Sequence, residues 1–66
     1  MEYSYKKMWK TLIDKNMKKT DLMREASLSS STVAKMSKNL PVSLEVLGRI
    51  CQVLHCNVGD ILDILY

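Results

Sequence analysis

The chain has 66 residues, of which 47% are hydrophobic and 26% charged, and this predicts one folded domain over residues 1–66 rather than a disordered chain. The N-terminal sequence MEYSYKKMWK lacks the apolar segment of a signal peptide, and no apolar run approaches the roughly 18 residues of a membrane span. We therefore expect a cytoplasmic protein with reduced cysteines and no membrane partner.

The positive charge is concentrated in the N-terminal part of the chain. Residues 1–39 contain nine Lys or Arg and four Asp or Glu, for a net charge of +5. Residues 40–66 contain one Arg and three acidic residues, for −2, and the two parts together give the net charge of +3. A basic surface on a small domain is typical of a protein that binds a polyanion. On charge alone, solvated lysines on helix surfaces explain the pattern equally well.

The spacing of apolar residues predicts five helices that pack into one all-α bundle. Their expected N-caps or first residues are Ser4, Lys19, Ser29, Ser43 and Asn57.

Each of the first four predicted helices has one apolar face that we expect to form the core. In chain order these faces contain Tyr5, Met8, Trp9, Leu12 and Ile13; Leu22, Met23 and Ala26; Val33 and Met36; and Leu44, Leu47, Cys51 and Leu54. Val46, Ile50 and Val53 widen the face of the fourth helix, which we therefore expect to be central, and the fifth helix contains Val58, Ile61, Leu62 and Leu65. Asn16 is expected to end the first helix. Asn39 and His55 are expected to end the third and fourth in the left-handed conformation.

Four small hydroxyl residues, Ser29 to Thr32, lie at the start of the third helix. The turn before them has three or four residues, as in a helix-turn-helix, whose second helix enters the DNA major groove by its N-terminal end. Hydroxyl groups and helix N-terminal amides at that end contact base edges and phosphates, and Lys35 lies on the same face as Ser31. A serine run alone is more typical of a capped, solvated helix start. The apolar Leu28 in the turn and the flanking lysines favour the helix-turn-helix.

The segment MKKTDLMREASLSSSTVAKMSKN resembles the helix-turn-helix of phage-repressor-type (Cro/CI-type) transcriptional regulators. The segment VSLEVLGRICQVLHCNVGDIL is similar to the fourth helix of that family and the start of its fifth. The resemblance covers about residues 5–65 and is strongest to small stand-alone bacterial members. It implies a compact five-helix lambda-repressor-like fold, with the helix-turn-helix in helices 2 and 3. It also implies sequence-specific binding of double-stranded DNA, commonly as a homodimer.

The resemblance also implies which residues contact DNA. The base-facing positions are Ser30, Ser31, Thr32 and Lys35, and the positions facing phosphate are Lys18, Lys19, Ser29, Lys38 and Asn39. Two residues depart from the family pattern, because Lys18 stands where a capping Thr is usual and Ser27 where the turn often has Gly. Ser30 is also shorter than the usual base-reading residue, so DNA shape or bridging water is expected to add to specificity.

The C-terminal sequence DILDILY is more apolar than a small monomer needs. We expect Ile61, Ile64, Leu65 and Tyr66 to form a homodimer interface that places two recognition helices about 34 Å apart along DNA. A frayed terminus is one alternative. The other is a protein-interaction module, in which an adaptor or antitoxin-like subunit uses the same surface on a different protein.

The remaining polar residues do not assemble a recognisable reaction centre. Cys51, His55 and Cys56 are too few for a tetrahedral zinc site, and the single histidine does not complete a plausible nucleophile–base pair. We therefore expect no enzymatic activity, no metal, no cofactor and no small-molecule ligand.

Overall fold

The computed structural model describes residues 1–66 and contains four α-helices, a short 3-10 turn and a two-stranded sheet. The elements in chain order are β1 (Glu2–Ser4), α1 (Lys6–Asp14), α2 (Lys19–Glu25), α3 (Ser30–Ser37), α4 (Leu44–Leu54), the 3-10 turn (Val58–Asp60) and β2 (Asp63–Leu65). None of the helices has the length and apolar content needed to cross a bilayer.

Twelve buried apolar side chains form a single core between the helices. They are Tyr5, Met8, Leu12, Leu22, Ala26, Leu28, Met36, Val46, Leu47, Ile50, Leu54 and Ile61. Four of the twelve lie on α4, which is therefore the central helix, as its wide apolar face predicts. Burying one large apolar side chain contributes about 1.5–3 kcal/mol, so a core of this size depends on each of its members.

The prediction of a fifth helix is wrong, whereas the mostly helical fold is confirmed, with a small two-stranded sheet added to it. Asn57 does cap the segment, because its side chain accepts the Val58 N–H at 2.9 Å and the Asp60 carboxylate accepts the Asn57 N–H at 2.9 Å. Only one 3-10 turn follows, and the chain then continues as β2. Isolated helices of this length are marginal, so tertiary contacts decide the conformation of the segment.

The contact that decides it is the pairing of the two chain ends. β1 and β2 are antiparallel, and Tyr3 lies opposite Ile64 in the register. The β-branched and aromatic side chains of these two residues favour strands, and Tyr3 also packs against the core. Nothing in the local pattern of either segment indicates its partner, because the two strands lie at opposite ends of the chain.

Three residues assigned to the predicted core or to a cap lie elsewhere. Ile13 is 72% exposed and Leu44 is 78% exposed, because the buried stripe of each helix is narrower than its apolar face. Ser4 is the last residue of β1, and α1 begins after Tyr5, which has no side-chain cap.

Polar contacts of Tyr5 and Lys7 connect the N-terminal part of the chain to later segments. The hydroxyl of the buried Tyr5 donates to the carbonyl oxygen of Leu40 at 2.7 Å, and burial raises the pKa of Tyr5. Lys7 donates to the carbonyl oxygen of Gly59 at 3.1 Å and forms an ion pair of 3.1 Å with Asp63. These contacts hold the loop after α3 and the C-terminal segment against the N-terminal part of the chain.

Four non-glycine residues end helices or turns with a positive φ. Asn16, Ser27, Asn39 and His55 have φ between 54° and 58°. This confirms the left-handed conformation expected at Asn39 and His55. Ser27 also adopts it, although its Cβ makes the conformation less favourable than it is for the glycine usual there.

Gly48 lies inside α4 at a position where nothing requires a glycine. It is exposed, and a Cβ built on it meets no heavy atom within 4 Å. Because glycine costs about 1 kcal/mol relative to alanine inside a helix, we expect Gly48→Ala to raise the free energy of unfolding by about that amount. The melting temperature is then expected to rise by about 4–8 °C in thermal unfolding monitored by circular dichroism. An unchanged or lower melting temperature would contradict this account of α4.

Candidate nucleic-acid interface

The turn between α2 and α3 is held in place from the inside. Leu28 is buried in the core, and its backbone N–H donates to the carbonyl oxygen of Met23 at 2.8 Å. Ser27, immediately before it, reverses the chain with a φ of 55°. The buried Ala26 at the end of α2 allows the two helices to approach closely. The predicted helix-turn-helix, with its apolar residue in the turn, is therefore present.

The hydroxyl residues at the start of α3 form a small hydrogen-bonded cluster. Ser29 is the N-cap, and its Oγ accepts the Thr32 backbone N–H at 3.2 Å. The same Oγ lies 3.0 Å from Ser31 Oγ and 2.9 Å from Thr32 Oγ1. Thr32 is half-buried, whereas Ser30 and Ser31 are exposed. The cap predicted at Ser29 is confirmed. Of the four hydroxyl groups, only that of Ser30 makes no hydrogen bond within this cluster.

One side of α3 faces the core and the other is open to solvent. Met36 is buried and Val33 is half-buried, as expected. The exposed side of α3 and its C-cap contain Ser30, Ser31, Ala34, Lys35, Ser37 and Lys38. Sequence reasoning missed Ala34 because it looked for polar groups, although the i, i+4 spacing places Ala34 directly between Ser30 and Lys38.

The four lysines assigned to DNA contact have no acidic partner. The two ion pairs of the chain join Lys7 to Asp63 and Arg24 to Asp21. Lys18, Lys19, Lys35 and Lys38 are exposed and belong to neither pair. None of the four ammonium groups is held in an ion pair, so their positive charge is available to an anionic partner.

The N-terminus of α2 has a charge that is unfavourable for the helix itself. Lys18 is the N-cap and Lys19 is the first helical residue. The helix dipole disfavours positive charge at this end, and the Lys18 side chain has no atom that can accept a hydrogen bond from the free backbone N–H groups. Asp21 compensates, because its carboxylate accepts the Lys18 backbone N–H at 2.9 Å and a bond from Arg24 at 3.1 Å. A local cost of this kind is typical of functional positions.

Comparison with known proteins identifies the family. Residues 7–65 match the model of the Cro/C1-type HTH DNA-binding domain. The chain belongs to this family. A solved structure described as the crystal structure of transcriptional regulator VanUg, Form II, is 50% identical in sequence, with a TM-score of 0.94. The alignment covers 97% of this chain and 85% of that chain. A search of curated proteins gave no significant match.

The Cro/C1-type match covers nearly the whole chain. It extends from α1 through β2, so the 3-10 turn and the C-terminal strand lie within the family domain. Ser30, Ser31 and Lys35 lie on the exposed side of the second HTH helix, and Lys38 and Asn39 follow at its end. Thr32 lies partly beneath this surface.

The predicted dimer residues do not all lie at the surface. Ile61 is fully buried in the core, so its assignment to an interface is wrong. Ile61 directly follows the 3-10 turn, and the chain then turns into β2 instead of continuing as a helix. Ile64, Leu65 and Tyr66 are exposed.

Cys51 and Cys56 take part in the end of α4. The Cys56 N–H donates to the Cys51 carbonyl oxygen at 3.1 Å across His55, a pattern that closes a helix with a left-handed residue. Both thiols are free and half-buried, and burial together with the neighbouring Cys51 raises the pKa of Cys56. No three His, Cys, Asp or Glu side chains come close enough to hold a metal ion.

The pKa of Asp21 links helix α2 to pH. The hydrogen bond from the Lys18 backbone and the nearby Arg24 lower this pKa from 3.8. The ionised Asp21 carboxylate therefore stabilises the folded state fully above about pH 3.8. This stabilisation is lost as the pH falls through the lower pKa that Asp21 has in the folded state. We expect Asp21→Asn to be less stable than wild type at pH 7 and to lose less stability on acidification, as measured by urea unfolding at several pH values. Asp14→Asn is the control, and an equal acid response of Asp21→Asn and wild type would contradict the role of Asp21.

Proposed function

We propose that this protein is a transcriptional regulator that binds double-stranded DNA sequence-specifically, with α3 in the major groove. The observation that carries the proposal is the exposed side of α3, which is small and polar at its start and cationic at its end. Membership in the Cro/C1-type HTH DNA-binding family supports binding to DNA. Similarity to VanUg, described as a transcriptional regulator, supports the regulatory role.

Affinity is proposed to come mainly from contacts with phosphates. Lys18 and Lys19 approach the backbone from the start of α2, and Lys38 and Asn39 from the end of α3. Neutralising phosphates releases counterions, so binding is expected to weaken steeply as the salt concentration rises. Ser29 contributes through the helix start that it caps, which orients the backbone amides of α3 toward a phosphate.

Base recognition is proposed to come from the first half of α3. Ser30 and Ser31 can donate to and accept from base edges, and Lys35 can reach O6 and N7 of guanine. Thr32 is expected to present mainly its methyl group, because its hydroxyl is directed to Ser29. Ala34 adds a methyl group that suits the methyl of thymine. Because these side chains are short, part of the specificity is expected from the shape of the DNA.

The proposal is tested by selecting binding sites from a pool of random duplexes at about physiological salt. We expect an enriched sequence with wild type and loss of that enrichment with the variant Ser30→Ala/Lys35→Ala. The control is Lys10→Ala, which removes one exposed charge from α1 and should retain the enrichment. Failure of the folded wild type to enrich any sequence across a salt series would overturn the sequence-specific reading.

We also propose a homodimer that uses the exposed C-terminal strand. Ile64, Leu65 and Tyr66 are exposed apolar residues, and a two-stranded sheet leaves the outer edge of β2 unpaired. Analytical ultracentrifugation is expected to show a dimer for wild type and a monomer for Leu65→Lys. A monomeric wild type that still binds DNA would instead favour an interface with a different protein, as in an adaptor or antitoxin-like subunit.

A further inference from the structure

Side chains of three helices meet around the ammonium group of Lys19. The Nζ atom lies 4.5 Å from the ring centroid of Trp9 on α1. The same Nζ atom donates to Ser37 Oγ on α3 at 3.3 Å. Lys19 itself is the first residue of α2, so this cluster lies where the helix-turn-helix joins α1.

We propose that Trp9, Lys19 and Ser37 form a preorganised binding site for one phosphate of the DNA backbone. Lys19 and Ser37 contact the phosphate, and Trp9 is a positioning residue that holds the ammonium group. The proposal deepens the DNA-binding function argued above and rests on it.

The hydrogen-bonding capacity of the cluster is suited to a phosphate. The Lys19 ammonium has three N–H donors, and the chain uses one of them at Ser37. The Ser37 hydroxyl accepts that bond and donates to no group of the chain, so its O–H remains available. The two groups therefore present donors 3.3 Å apart to the same phosphate.

The position of Trp9 reduces the entropy that Lys19 loses on binding. A lysine side chain has a long flexible stem, and fixing it on DNA normally costs rotamer freedom. The face of Trp9 attracts the cation and holds it over the ring before DNA arrives. Preorganisation of this kind increases affinity without adding a contact to the ligand.

A purely structural role explains the cluster less well. Lys19 is exposed and has no acidic partner, and exposed cation–aromatic contacts contribute little to stability. Its charge also opposes the dipole of α2. Sequence analysis placed Trp9 in the core, yet it is only half-buried, and the ammonium group of Lys19 lies over its ring.

The test measures the affinity of the full chain for a labelled mixed-sequence duplex over a series of salt concentrations. We expect Lys19→Met to bind about tenfold more weakly and to reduce the salt slope by about one unit. Lys10→Met, which removes an equal charge from an exposed position on α1, should keep more of the affinity. We expect Trp9→Leu and Ser37→Ala each to bind about two- to fivefold more weakly, with Trp9→Phe partly restoring affinity.

The decisive measurement is the double variant Trp9→Leu/Lys19→Met. If Trp9 acts through Lys19, the double variant binds as weakly as Lys19→Met alone, because the positioned group is already absent. Urea unfolding of every variant separates affinity from folding. Additive losses, or equal effects of Lys19→Met and Lys10→Met, would overturn the phosphate site while leaving DNA binding intact. A folded wild type that binds no duplex at low salt would overturn both proposals.

Discussion

Ile61→Ala is expected to lower the free energy of unfolding by about 2–5 kcal/mol, which is a large part of the total stability of so small a domain. Ile61 is 0% exposed and lies in the cluster of twelve core residues. Truncation leaves a cavity that the surrounding helices fill only partly, and this adds to the lost transfer free energy. The measurement is urea unfolding followed by circular dichroism at two protein concentrations.

Ile13→Ala provides the matched control for that experiment, because it truncates the same side chain at an exposed position. Ile13 lies on α1 and is 72% exposed, so its truncation leaves no closed cavity in the chain. We expect its effect on the free energy of unfolding to be within about 0.5 kcal/mol. If Ile61→Ala were nearly neutral and Ile13→Ala strongly destabilising, the core would have been assigned incorrectly. A loss at Ile61 that is independent of protein concentration would support its place in the core.

The helix-turn-helix and the helix α4 that follows it were predictable because the signals that define them are local. Ser29 and Ser43 cap the helices that follow them, and the left-handed Asn39 and His55 end them. Spacing along the chain is enough to predict such features. The conformation of the C-terminal segment was not predictable in this way, because it depends on the pairing of Tyr3 with Ile64 across the molecule.

The candidate site also has one part that local spacing predicts and one part that only the tertiary structure shows. Ser30, Ser31 and Lys35 could be predicted to share an exposed surface, since helical periodicity fixes their relative positions. The cluster of Trp9, Lys19 and Ser37 could not, because it requires the relative placement of three helices. Tertiary placement also explains why the apolar stripe of α1 continues to Ile13 in the sequence but not in the core.

Ala34→Glu is expected to weaken binding to duplex DNA about a hundredfold or more while changing the stability by only about 0.5 kcal/mol. Ala34 is exposed on α3 between Ser30 and Lys38, and a carboxylate there would face the phosphates and base edges that the helix is proposed to contact. Glutamate is a good helix former, so the variant should remain folded. Fluorescence anisotropy of a labelled duplex at fixed salt measures the loss.

The control for this prediction is Gln52→Glu, which makes the same change of net charge at an exposed position on α4. A general electrostatic effect would weaken binding by both variants similarly, because screened repulsion depends mainly on net charge. A direct clash acts only where the side chain is desolvated against DNA, so it affects Ala34→Glu alone. Equal, small losses would mean that α3 does not face the duplex, whereas a loss confined to Ala34→Glu would support α3 as the recognition helix.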